Sequence, residues 1–189
     1  MKTNQLYQQY SETIRKYLLK FVSESDADDL VQEVFIKVDN NLDKFRGGSS
    51  PKTWIYKIAT NTARDFLKSR SYQLSKHQEN ITEEELITFD DANDKNNSQE
   101  SNILTEEMNQ CILEFIHRLP YEYSSVLVLS ELEGYKNKEI AEILDISQNT
   151  AKVRLYRAKS RLKTELEEGC NISTTCDNKL ECERKEPNK

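Results

Sequence analysis

Apolar residues recur at steps of three and four through the first seventy positions. Leu6, Tyr7, Tyr10, Ile14, Tyr17, Leu18 and Phe21 form one stripe, the signature of an amphipathic helix. "SESD" interrupts it. Ser25 or Asp26 can cap the next helix, and Asp28 and Asp29 then fall in its first turn, where the helix dipole favours acids. That second helix carries Val31, Val34, Phe35, Val38, Leu42 and Phe45 on its apolar side. "RGGSS" reads as a loop, and Ser50 followed by Pro51 reads as an N-cap and first helical residue. A third helix over about 51–69 brings Trp54, Ile55, Ile58, Ala59, Phe66 and Leu67. Three helices close one unit over residues 1–70.

A second unit, 104–168, repeats the helical period. Leu104, Met108, Cys111, Ile112, Phe115, Ile116 and Leu119 form a stripe that Pro120 stops. Residues 122–132 make a short helix, with Gly134 as its C-terminal cap. "NKEIAEIL", the turn "DIS" and a longer helix from Gln148 follow, and two helices on so short a turn suggest a helix-turn-helix. After Glu168 the pattern dissolves into a polar tail, 169–189. The expected class is all-α: two small helical domains joined by a linker over 71–103.

Composition sharpens this picture. Four Gly and three Pro among 189 residues favour helix. No apolar run approaches the roughly 18 residues of a membrane span, and the polar N-terminus has no signal-peptide block, so a cytoplasmic protein is expected. Residues 78–107 hold ten acids against Lys95 alone, which fits a solvated, flexible linker or, alternatively, a mimic of nucleic-acid charge. Only His77 and His117 are histidines, and no phosphate loop, His-metal motif or nucleophile motif appears, so catalysis is not expected and no cofactor is implied.

Against a net charge of -6, residues 146–163 carry six bases and no acid. Ser147 can cap this helix. Ala151, Leu155, Ala158 and Leu162 can pack inward on Ile140, Ala141 and Leu144. Gln148, Asn149, Thr150, Lys152, Val153, Arg154, Tyr156 and Arg157 then face outward. Bases suit phosphates and guanine, amides suit adenine, and the helix N-terminus suits a phosphate. The content is that of a major-groove helix. A second basic track, five bases against Asp65, lies at 52–70. A stand-alone helix-turn-helix regulator is the rival reading; it would bind duplex DNA alone and has no use for the first unit.

Three segments, "DADDLVQEVFIKV" (26–38), "FRGGSSPKTWIYKIATNTARDFLKSR" (45–70) and "LPYEYSSVLVLSELEGYKNKEIAEILDISQNTAKVRLYRAKSRL" (119–162), resemble the extracytoplasmic-function (ECF) sigma factors of the sigma-70 family, with a sigma-Z flavour. They stand in that family's order and the likeness covers about 5–168. The resemblance implies a promoter-recognition subunit whose partners are core RNA polymerase and promoter DNA, duplex and melted, with room for an anti-sigma factor. Asp29, Gln32 and Glu33 fall where the family docks on polymerase. Asn61 falls where it reads a flipped minus-ten base, with the "RGGSS" loop helping to form the pocket. Lys152, Val153, Arg154, Tyr156 and Arg157 fall at its minus-thirty-five contacts, with Lys136 and Lys138 near the backbone. The linker would thread toward the RNA exit channel.

Some positions depart from the family. Asp145 stands where the turn residue is commonly Gly, though Asp tolerates the left-handed conformation. Lys136 replaces the usual Ser cap, leaving Asn137 to cap. Val153 can touch a thymine methyl but cannot hydrogen-bond a base. Trp54 reads as core ahead of a stacking platform, and Cys111 as core. Cys170, Cys176 and Cys182, spaced C-x5-C-x5-C, are not at zinc-knuckle spacing. They read as free thiols, with a metal or redox sensor and an oxidation-formed disulfide as the alternatives.

Overall fold

The computed structural model describes residues 2–45, 47–74, 106–174 and 180–185, with side chains described outside 70–74, 106–110 and 171–184. The acidic segment expected at 71–103 lies outside the described residues from position 75 onward, as does Cys176.

The first stripe becomes α1 (Thr3–Leu18), burying Leu6, Ile14, Tyr17 and Leu18. The next becomes α2 (Glu24–Asn41), burying Val31, Val34, Phe35 and Val38. Its cap is Ser23, whose hydroxyl accepts the Asp26 N–H, not Ser25 or Asp26 themselves. Asp28 is thereby moved past the first turn, where Arg15 holds it. Leu42, expected in α2, opens a 3-10 turn (Leu42–Lys44) instead. Gly47 adopts φ +74, a left-handed conformation that suits glycine, in the loop before α3 (Pro51–Leu74). Ser50 caps α3 as expected, accepting the Thr53 N–H at 3.0 Å. Trp54 is half-buried with its ring 4.8 Å from that of Phe45, which favours the core reading.

The second unit opens with α4 (Glu106–Arg118), followed by α5 (Tyr121–Leu127). The last turns of the expected 122–132 helix widen into a π turn (Val128–Leu132), and Gly134 follows at φ +71. Then come α6 (Asn137–Leu144) and α7 (Gln148–Gly169). Asn137 does not cap α6; the Glu139 carboxylate reaches back to accept the Lys136 N–H at 3.0 Å. Asp145 joins α6 to α7 at φ 59, ψ 45, the left-handed turn the sequence calls for.

Both units are all-helical, as the periodicity predicts. Beyond them the expected tail contains an antiparallel hairpin, β1 (Cys170–Thr174) paired with β2 (Leu180–Arg184), Ile172 opposite Cys182. Ile172 and Thr174 carry enough β propensity for a short strand once α7 ends, a signal too brief to read as periodicity.

One cluster of buried residues runs through both units. Helix α3 packs on α1 and α2 within the first unit and on α6 of the second. Aromatic rings fill the seam: Phe21 meets Tyr121 edge-on at 5.5 Å, and Tyr56 meets Tyr135 at 5.1 Å.

Candidate nucleic-acid and polymerase interface

Helix α2 buries one side in its own core and leaves Asp29, Gln32 and Glu33 exposed on the other. Arg15 selects among the neighbouring acids. Its Nε donates to Asp28 at 2.6 Å and an Nη to Glu24 at 2.8 Å. The hydrogen bond from Arg15 holds the Asp28 carboxyl below its ordinary range. Glu33 pairs with Lys37 one turn on, at 2.7 Å. Ile36 lies on the same face as Gln32 and Glu33 and is 61% exposed. Sequence reasoning passed over it because an isolated isoleucine in an amphipathic helix reads as core.

On α3, Asn61 is half-buried between Thr60 and Thr62, which are both buried. The Thr60 carbonyl accepts the Tyr121 hydroxyl at 2.7 Å. The track's bases do not all face open solvent. Lys57 Nζ lies 2.9 Å from Asp145 Oδ1, and Lys52 Nζ sits 5.3 Å from the Tyr135 ring centre. Lys57 donates a hydrogen bond to the Asp145 carboxylate and holds it below its ordinary range.

On α7, the Ser147 hydroxyl accepts the Thr150 N–H at 3.0 Å, as a cap should. Ala151 and Ala158 are buried, while Leu155 and Leu162 are half-buried. Gln148, Asn149, Lys152 and Tyr156 are exposed, Tyr156 at 64%. Thr150, Val153, Arg154 and Arg157 are half-buried. Farther along the basic stretch, Lys159 pairs with Glu131 at 3.0 Å, Arg161 stacks 4.5 Å above Tyr123, and Lys163 lies 3.7 Å from Glu167, all three bases still exposed. Lys136 and Lys138 are exposed at the start of α6.

Cys170 is buried at the end of α7 and Cys111 is half-buried on α4. Among the described residues no group of His, Cys, Asp and Glu is placed to hold a metal ion. Among them, too, no helix is long and apolar enough to cross a membrane.

A helix-turn-helix with an amide- and base-rich outer face, joined to a second helical unit with its own basic helix, is the arrangement of a two-unit DNA-binding protein. Comparison with known proteins makes this specific. Residues 6–72 match the Sigma-70 region 2 family, and residues 109–162 match Sigma-70, region 4. The chain is 31% identical over 166 residues to the ECF RNA polymerase sigma-E factor of Haemophilus influenzae, covering 87% of each chain. It is 31% identical over 164 residues to that of Escherichia coli K12, covering 87% of this chain and 86% of that one. Its fold resembles the sigma factor RpoE of Bartonella quintana, solved with the anti-sigma factor NepR, with a TM-score of 0.61, 22% identity, and coverage of 87% and 96%. CnrH, solved with the cytosolic domain of CnrY, gives a TM-score of 0.60 at 21% identity, with coverage of 88% of each chain.

The chain belongs to the sigma-70 family, among its ECF members. It binds core RNA polymerase and directs promoter-specific transcription initiation. A stand-alone regulator leaves residues 6–72 unexplained. The relatives named here are sigma-E factors, so the finer sigma-Z likeness rests on sequence resemblance alone.

Proposed function

We propose that the work of initiation is divided among three helices. Asp29, Gln32 and Glu33 on α2 dock on core polymerase through an acid-and-amide face. Asn61 on α3 reads a flipped base of the melted minus-ten element, where an amide matches a base edge and the "RGGSS" loop completes the pocket. Gln148, Asn149, Lys152, Val153, Arg154, Tyr156 and Arg157 on α7 contact the duplex minus-thirty-five element. Residues 1–70 and 104–168 act as the two DNA-binding domains, with 71–103 as the linker between them. The protein works in the cytoplasm with its polymerase and catalyses nothing itself. An anti-sigma factor is a fitting partner, since RpoE of Bartonella quintana was solved with one.

The observation that carries this reading is the separation of chemistry by helix. On α2 the exposed Asp29, Gln32 and Glu33 are acids and an amide, with Lys37 paired to Glu33, whereas α7 from Gln148 to Arg157 holds three bases and no acid. Transcription in vitro with core polymerase and a promoter library tests it. Asp29→Ala should reduce assembly with polymerase, and Asn61→Ala should leave assembly intact while reducing open complexes. If Asn61→Ala opens promoters normally, the minus-ten assignment is wrong.

A further inference from the structure

The end of the chain carries chemistry that promoter recognition does not use. We infer that Met108, Cys111, Cys170 and Cys182 form a sulfur-lined site for a cuprous ion, where the hairpin meets the first helix of the second unit.

Two packing contacts set α4 against the end of α7. Arg118 Nη1 lies 3.9 Å from Glu165 Oε2. A Cβ on Gly169 would come within 2.6 Å of the Phe115 ring, so the ring lies directly on that backbone. Going back along α4 from Arg118 to Phe115 thus matches going forward along α7 from Glu165 to Gly169, and the two helices run antiparallel. Cys111 is one turn before Phe115 on the same side of α4, about 6 Å back along its axis. At about 3.3 Å per strand residue, that brings it level with the first residues of β1, Cys170 and Asn171. Met108 precedes Cys111 by three positions on the same stripe. Cys170 is 3% exposed and Cys111 is half-buried, so both thiols are withdrawn from solvent.

Two cysteines are too few to hold an ion, and the hairpin supplies a third. Cys170 stands opposite Arg184, and Ile172 opposite Cys182. Paired residues share a face and alternate residues return to it, so Cys170, Ile172, Cys182 and Arg184 fall on one face, with Glu181 and Glu183 on the other. The Lys185 N–H donates to the Gly169 carbonyl at 3.0 Å and holds this register at the foot of the hairpin. Cys170 and Cys182 are diagonal neighbours, about 7–8 Å apart. A disulfide needs Cα atoms within about 4.4–6.8 Å, whereas an ion with metal–sulfur bonds of about 2.3 Å can bridge the wider pair.

Of the chain's four Cys and two Met, only Met1 and Cys176 stand outside this group. Its donors are three thiolates and a thioether, and the hairpin's carboxylates fall on the opposite face. Soft sulfur without oxygen suits cuprous ion and disfavours magnesium, calcium and manganese. Zinc draws its ligands from Cys, His, Asp and Glu, and here would find three. Each thiol releases its proton to solvent on binding, and Arg184 on the shared face offsets part of the negative charge. The bound ion fastens α4 to the far end of α7.

The full chain, reduced and kept from oxygen, provides the test. Competition against a chromogenic cuprous chelator should show one ion per chain, X-ray absorption should show sulfur alone around it, and the ion should raise the unfolding temperature. Cys111→Ser, Cys170→Ser and Cys182→Ser should each weaken binding by about tenfold or more, Met108→Leu by about threefold, and Cys176→Ser should change nothing. Circular dichroism checks that each variant folds. If Cys111→Ser or Cys170→Ser does not, Met108→Leu and Cys182→Ser still test α4 and the hairpin. Oxygen or nitrogen around the copper, or its displacement by equimolar zinc, overturns the choice of ion. Wild-type affinity in Cys111→Ser and Met108→Leu, with a loss in Cys176→Ser, makes the ion a ligand of the tail alone and overturns the site. Absence of binding by the folded wild type overturns it as well.

Discussion

The Tyr56 hydroxyl donates to Glu133 Oε2 at 2.6 Å, joining residues 77 positions apart in sequence and belonging to different units. Tyr56 is itself buried against Tyr17, their rings 4.9 Å apart. Tyr56→Phe keeps the ring and removes only the donor. A hydrogen bond to a charged acceptor contributes about 1.5–3 kcal/mol, and Lys20 still satisfies Glu133, so a loss near the low end, about 1.5 kcal/mol, is expected. Urea unfolding followed by circular dichroism should show it, with the two units melting less cooperatively.

Four tyrosines along this seam should titrate late. Burial, first of all, raises Tyr17, Tyr56, Tyr121 and Tyr135, and Glu133 adds to the effect on Tyr56 and Tyr135. A raised folded value means that stabilisation is complete below the unfolded value of about 10 and is lost as pH rises through the folded values. These four groups should therefore add no pH dependence near neutrality, and the packing should loosen above about pH 10. Tyrosinate absorbance in buffer should lag behind that in urea, and its late step should coincide with loss of near-ultraviolet circular dichroism. A titration identical in both solvents would contradict the packing described.

Ile36 offers a separable effect. Because it is 61% exposed, Ile36→Ala should change folding stability by no more than about 0.5 kcal/mol. If it is an apolar anchor beside Gln32 and Glu33, competition for core polymerase against wild type should reveal weaker binding by about tenfold. Equal competition would leave Ile36 a solvated residue of no consequence.

Arg157→Ala should lower promoter use by roughly tenfold, the scale of a lost base or phosphate contact, without lowering assembly with polymerase. Transcription in vitro and gel filtration of the holoenzyme measure the two separately. Loss of both together would mean that Arg157, half-buried on α7, supports the fold.

The local features of this chain were legible because they are periodic or positional. Stripes such as Val31–Val34–Val38, the caps Ser50 and Ser147, and the left-handed Asp145 follow from neighbours within one turn. Ser23 was missed as a cap because several capping residues follow in "SESD", and only the helix register chooses among them. The seam between the units was not legible at all. Glu133 looks like any surface acid, and Tyr56 and Tyr135 fit a unit's own core as well as a contact between units. The basic run at 146–163 pointed to DNA, but its sequence could not say that Lys159, Arg161 and Lys163 turn back onto Glu131, Tyr123 and Glu167.

The partners of Glu133 lie on its own chain, which changes what mass action can do to the contact. A unimolecular association does not weaken on dilution. A cell making few copies of this protein would thus keep each copy as compact as a cell making many. A competitor, such as a polymerase surface or a nucleic acid, changes the balance only by binding the parted form more tightly than the packed one.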